Sequence, residues 1–252
     1  MTIALAQRQP MPERLVIVTG ASKGIGAAIA QNLATGGFTV ACLSRGGNCP
    51  AAAPELAAQL LPYAVDVTNP DAFRRVVDDA VKGRRLIGIV NNAGQHTQSP
   101  SAELSIDDWN AQLAINATAV LIGCQTAYPH LTAEGGLIVN IGSFFDKIGV
   151  KQNLAYCASK AAVGAMTRVL AVEWAKQRIA VLDVAPGYIV TDLNRDSMLA
   201  GPLKAYLEKR IPGGEPGTAD DVGRLVASLY AMDVRFLSGE TIYIDGAQGV
   251  AH

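Results

Sequence analysis

The chain has 252 residues, half of them hydrophobic and 17% charged, with a formal net charge of −1. That length holds one large α/β domain or two small ones. The near-neutral balance, without any Lys/Arg run, excludes a nucleic-acid footprint, and no apolar stretch approaches the ~18 residues of a membrane span. The first residues lack a signal-peptide core, so a cytoplasmic protein that works without nucleic acid or membrane is expected. Cys42, Cys49, Cys124 and Cys157 have no ligand spacing, which predicts neither a metal site nor a disulfide framework.

In chain order, residues 1–13 read as a loose arm. LVIVTG (15–20) is an apolar run ending at glycine, the pattern of a buried parallel strand. A helix follows to about Thr35 and stops at Gly36-Gly37. FTVACL and LPYAVDV are the next two strands. Pro70 and Asp71 open the following helix, where both residue types are favoured. LIGIVNNAG is a fourth strand, and a long helix is predicted from about Ile106 to His130. GGLIVNIGS is a fifth strand and is followed by a helix containing Tyr156. IAVLDVAPG is a sixth strand and TIYID a seventh, with a helix between them opened by the capping box Thr218–Asp221. Strands alternating with helices, without a composition shift, predict an α/β fold. The expectation is a single-domain, doubly wound parallel sheet of about seven strands over 14–252, Rossmann-type, with helices on both faces.

Ligands of such sheets gather beyond the carboxyl ends of the strands. Gly20, Asp66, Asn91, Ser143 and Pro186 fall at five successive strand ends. TGASKGIG places Gly20, Gly24 and Gly26 between a strand and a helix, where a pyrophosphate can approach the free N–H groups of the helix start. The spacing is GxxxGxG and departs from the common GxGxxG. A site for an unphosphorylated ribose has an acidic residue about 20 positions on, yet none occurs between Glu13 and Glu55. The second strand ends instead at Ser44-Arg45, and Lys23 lies in the glycine loop. Two cations without an anion suit a 2′-phosphate, so NADP(H) is favoured over NAD(H).

Tyr156 and Lys160 stand four apart on one helix and share a face, with Ser143 thirteen residues upstream. An ordinary phenol ionises near pH ~10, and a fixed cation a few ångströms away favours the phenolate. The expectation is a tyrosine below its usual range, exchanging a proton with a carbonyl or alcohol oxygen that the Ser143 hydroxyl helps to hold.

Together TGASKGIG, Asp66-Val67, NNAG (91–94), Asn116, Ser143, YCASK (156–160) and PGYIVT (186–191) resemble the short-chain dehydrogenase/reductase family over residues 14–248. The resemblance extends to its NADP(H)-dependent 3-oxoacyl reductase-like and ketoreductase members. It implies Tyr156 as general acid/base, Lys160 lowering its pKa and bonding the nicotinamide ribose, Ser143 orienting the substrate oxygen, and Asn116 anchoring a water of a proton relay. Gly20, Ser22, Lys23, Gly24, Ile25 and Gly26 would cradle the cofactor, with Ser44 and Arg45 at its ribose. Asp66 and Val67 would hold the adenine, and Asn91, Ala93 and Gly94 would line the adenosine side. Pro186, Gly187, Ile189 and Thr191 would frame the nicotinamide. Three positions depart from the pattern: Ile87 where Asp is frequent, Ala180 where Arg is frequent and Leu182 where Asn is usual. They lie away from the reacting groups.

Substrate contacts are expected from His96, Phe144, Phe145, Gln152, Asn153, Leu154 and Tyr188, under a movable cover formed by 192–214, whose Gly and Pro residues fit such a role. The substrate would be a small carbonyl compound or alcohol. By resemblance the helices of Asn116 and Tyr156 pack against a second subunit in a homotetramer. Two rival functions are an NAD-dependent sugar or polyol dehydrogenase and a nucleotide sensor without turnover.

Overall fold

The computed structural model describes residues 13–233 and 235–251. Of the predicted arm only Glu13 falls among them, and it opens the first strand; residues 1–12 lie outside. Seven strands form one fully parallel sheet: β1 Glu13–Thr19, β2 Thr39–Ser44, β3 Leu60–Ala64, β4 Arg84–Asn91, β5 Gly136–Ile141, β6 Ile179–Pro186 and β9 Thr241–Ile244, in the order β3-β2-β1-β4-β5-β6-β9. After β3 the chain returns to the far side of β1, so the direction of winding reverses between β1 and β4. That reversal opens the crevice in which such sheets take their ligands.

Helices cover both faces because the central strands are apolar on both sides. In β1, Val16 and Val18 pack toward α1 (Gly24–Thr35) and α9 (Ala219–Met232), while Leu15 and Ile17 face the opposite core. That second core is closed by α3 (Pro70–Ala80), α5 (Ala119–Leu131) and α6 (Leu154–Glu173). The same period of two runs through β6, where Ala180, Leu182 and Val184 face α9 and Val181 faces α6. The next residue on the α6 side is Asp183, a charge inside an otherwise apolar strand.

The long helix expected over 106–130 consists of three pieces. Helix α4 (Ile106–Leu113) runs into one π turn, Ala114–Thr118, and α5 continues the same rod. A π turn inserts one residue and aims side chains off the regular spiral, here those around Asn116. The capping box at Thr218 forms as predicted: its hydroxyl accepts from the Asp221 amide at 3.2 Å, and its amide donates to the Asp221 carboxylate at 2.8 Å. The segment 192–214 holds α7 (Arg195–Leu199) and α8 (Gly201–Arg210). The sequence did not indicate the small second sheet of β7 (Ile189–Val190) and β8 (Gly217–Thr218), which ties the start of this segment to α9. A four-residue helix, α2 (Pro54–Ala57), completes the elements.

Candidate active site

The turn after β1 is shaped by its glycines. Gly20 and Gly24 have φ of +67° and +57°, where a side chain is strained. A Cβ on Gly26 would overlap the Gly20 carbonyl and the Asn92 amide. The loop therefore lies tightly on the β4 end, and Asn92 pins it by donating from Nδ2 to the Thr19 carbonyl at 2.9 Å. At the start of α1, Lys23 occupies the cap position without a side-chain cap, and the first turn holds no acidic residue. A helix start of this kind presents N–H groups and the positive end of the dipole to an anion. Among the described residues, neither Lys23 nor Arg45 makes an ion pair. These features fit a dinucleotide: backbone amides for its pyrophosphate, Lys23 in the glycine turn, and Arg45 at the end of β2, neither cation held in an ion pair among those residues. Asp66 accepts from the Thr68 hydroxyl at 2.7 Å and amide at 2.9 Å; these bonds, aided by Arg45 nearby, hold its carboxyl below the usual range. Thr191 touches the same cradle, with Cγ2 3.5 Å from where a Cβ on Gly24 would stand.

Beyond the ends of β4, β5 and β6 lies a cavity of about 240 Å³. It is lined by Ile25, Gly94, His96, Ser143, Tyr156 and Lys160, with Pro186 and Gly187 opposite. The structure thus brings together residues drawn from five separate sequence motifs. Ser143 stands two residues after the end of β5 and caps a single 3-10 turn, Phe144–Asp146, its hydroxyl accepting from the Phe145 amide at 3.3 Å. Tyr156 and Lys160 rise from the first turns of α6. Asn116 is fully buried; its Oδ1 accepts from the Gln95 amide at 2.9 Å, and its Nδ2 donates to the Gln95 carbonyl and the Ser159 hydroxyl. The amide expected to anchor a water is thus largely committed to positioning the 94–95 turn.

Lys160 is buried and donates to the Ile141 carbonyl at 2.7 Å, with Nζ 5.8 Å from the centre of the Tyr156 ring. Burial pulls its pKa down to about 8, against the opposing pull of Asp183. Burial also pushes the Tyr156 phenol above its ordinary range, with the Ser143 hydroxyl pulling the other way. The direction is opposite to the expected lowering of Tyr156: desolvation dominates, and the Lys160 ammonium is turned to a backbone carbonyl.

Three residues expected at the cofactor have their side chains engaged elsewhere. The Asn91 side chain points to the α5 core, because β4 alternates and Ile89 faces the same way. Its Nδ2 donates to the Asn140 side-chain oxygen Oδ1 at 2.9 Å. Ile189 is packed in the core between the sheet and α9, and the Ser44 hydroxyl is tied to the Asn48 backbone. Conversely, the sequence reading passed over Asn92, Gln95 and Ser159, which hold the loop and Asn116. The second Asn of NNAG was the available signal for the first of these.

Aromatic rings cluster around Tyr156. His96 lies 4.6 Å from the Tyr156 ring and bonds the Asn153 side chain. Phe145 meets the rings of Tyr156 and Tyr188 edge-on at 5.8 and 6.0 Å. A second chamber of about 530 Å³ opens beyond, lined by Phe144, Gln152, Tyr188, Tyr206, Arg210 and Gln248. Leu154 stands apart from both, at a smaller hollow beside Gln152.

The sequence profile described as Enoyl-(Acyl carrier protein) reductase matches residues 20–248. The chain is 34% identical to D-threitol dehydrogenase of Mycolicibacterium smegmatis over 92% of each protein. It is 33% identical to 3-oxoacyl-[acyl-carrier-protein] reductase FabG of Chlamydia pneumoniae, over 92% of this chain and 95% of that one. The short-chain dehydrogenase/reductase of Serratia marcescens superposes with a TM-score of 0.84 at 29% identity, over 96% of this chain and all of the other. With a phenol, a lysine and a serine gathered at the mouth of a nucleotide-type crevice, and with these likenesses spanning nearly its whole length, the chain belongs to the short-chain dehydrogenase/reductase family, the oxidoreductases of alcohols and carbonyls.

Proposed function

We propose that the protein is an NADP(H)-dependent reductase of a small carbonyl compound, or dehydrogenase of the matching secondary alcohol, with Tyr156 as its acid/base. The observation that carries this reading is the cavity shared by Ser143, Tyr156 and Lys160, which reaches the glycine turn at Ile25. The nicotinamide, when bound, supplies the hydride chemistry. Pro186, Gly187 and Thr191 would face its ring, Asp66 and Val67 its adenine, and Lys23 and Arg45 a 2′-phosphate.

The chain's own groups handle the oxygen. The Ser143 hydroxyl and the Tyr156 phenol donate to the carbonyl oxygen, stabilising the charge that grows there. Tyr156 then delivers its proton. Lys160 holds a positive charge behind the phenol, which favours the phenolate left after transfer. Asn116 fixes the 94–95 turn that forms the cavity wall. The helices α7 and α8 would close over the substrate as a cover, with His96, Phe145, Gln152 and Tyr188 touching it. Leu154, Val169 and Val172 are exposed on α6 at 48, 54 and 80%, an apolar face suited to a homotetramer. Four free thiols suit a cytoplasmic setting.

A second reading, an NAD-dependent polyol or sugar dehydrogenase, draws on the D-threitol dehydrogenase relative and on the amides of Gln98, Gln152, Asn153 and Gln248 in the outer chamber. The reductase reading is tested by NADPH oxidation across a panel of ketones, for wild type and Tyr156→Phe. The substitution should abolish turnover while NADPH binding stays nearly unchanged. Turnover that survives in Tyr156→Phe removes the proton-transfer role.

A further inference from the structure

Asp183 has no exposed surface, and no ion pair within 4 Å includes it among the described residues. Its Oδ2 accepts from the Thr241 hydroxyl at 3.2 Å, whereas its Oδ1 has no hydrogen-bond partner. An ionised carboxylate held this way is costly unless a cation compensates it. The surroundings are nevertheless fitted to it. A Cβ on Gly142 would overlap Oδ1 and lie 2.7 Å from Oδ2; one on Gly164 would stand 3.7 Å from Oδ2. Two glycines, from the β5 end and from α6, thus leave the space that the carboxylate fills.

That space adjoins Lys160. Lys160 and Gly164 are four apart on α6 and share the face that meets Asp183. The carbonyl that receives the lysine proton belongs to Ile141, the residue before Gly142, and the Gly142 amide donates to the Val184 carbonyl at 2.8 Å, the residue after Asp183. The carboxylate therefore lies against the peptide to which the ammonium is bonded. Lys160 is the cation acting on Asp183; Asp146, after β5, is the opposing anion. Asp146 is itself held by the Tyr243 hydroxyl of β9 at 2.9 Å, with Arg168 of α6 acting on Tyr243. Lys147, 3.5 Å over the Tyr243 ring, acts on Asp146 as well, and Tyr156 and Cys157 also lie at this end of α6.

We infer that Asp183 is a positioning residue acting through Lys160, the buried counter-ion that keeps its ammonium charged and so preserves the positive field behind Tyr156. This rests on the role proposed for Lys160 but is measured without turnover, so the two can fail separately. Burial lifts the Asp183 carboxyl to about 6 and lowers Lys160 to about 8, so both charges coexist in a window around neutral pH.

The test is an NMR titration of lysine side chains in the whole protein, with Lys160→Met assigning the signal. In Asp183→Asn the Lys160 titration should move down by about one pH unit or more. A Lys160 titration that stays where the wild type has it overturns the proposal and leaves Asp183 a packing residue of the β6–β9 edge. Should Asp183→Asn fail to fold, the reciprocal measurement decides. In Lys160→Met the carboxyl of Asp183 should titrate about one pH unit higher, since coupling acts equally in both directions; an unmoved Asp183 overturns the proposal as surely.

Discussion

Tyr156 is a phenol in a place that disfavours its anion, and this sets the direction in which the site works most easily. Burial holds the proton on the oxygen, so at neutral pH the acid form needed for carbonyl reduction dominates. Alcohol oxidation needs the phenolate, which grows in only as pH rises. Reduction should therefore stay flat between about pH 6 and 8, while oxidation climbs through and beyond that range. Initial rates in both directions across pH would check this, and oxidation that peaks below neutrality would contradict it. Ser143, Tyr156 and Lys160 were legible in the sequence because residue type and spacing alone describe a proton-transfer group with its helpers. The rise of Tyr156 was not legible, since desolvation depends on what surrounds a side chain. Nor was the true orientation of Asn91, which alternation along β4 turns into the core. The signal for Asp183 was present, a lone charge in an apolar strand, but its meaning needed Gly142, Gly164 and Lys160 brought together in space.

At the scale of elements, the glycine turn and the π turn position nearly everything else. Gly26 allows α1 to begin against the Gly20 carbonyl, and no side chain fits between them. Gly26→Ala should cost about 1–3 kcal/mol of stability, the usual range for overpacking. It should also weaken NADPH binding, because the cradle must open to admit the methyl group. Denaturant unfolding together with cofactor titration would measure both, and an unaltered cradle would show that α1 is not fixed as described. Strands, helix order and the Thr218 capping box were readable from period and end signals. The π turn was not, because Ala-Ile-Asn-Ala-Thr carries no breaker and continues the helical pattern. The β7–β8 pair escaped for a related reason: two-residue strands leave no periodicity to detect.

For the whole molecule, the reversal of winding between β1 and β4 creates the crevice, and the β5 end and the start of α6 bring Ser143, Tyr156 and Lys160 beside it. The doubly wound order was legible because fully buried parallel strands read as continuous apolar runs between helices. The proposed tetramer would use the exposed valines of α6. Sedimentation at micromolar concentration should give a tetramer, and a monomer would leave that apolar face unexplained. The central claim joins this fold to a phosphorylated dinucleotide, and equilibrium titration of the purified protein with NADPH and NADH, followed by fluorescence, tests it most directly. Binding of NADPH at least about tenfold tighter, roughly 1.4 kcal/mol, is the predicted result, since Lys23 and Arg45 would meet a 2′-phosphate and β2 ends without an acidic residue for a free ribose. Equal affinities, or tighter NADH, would contradict it.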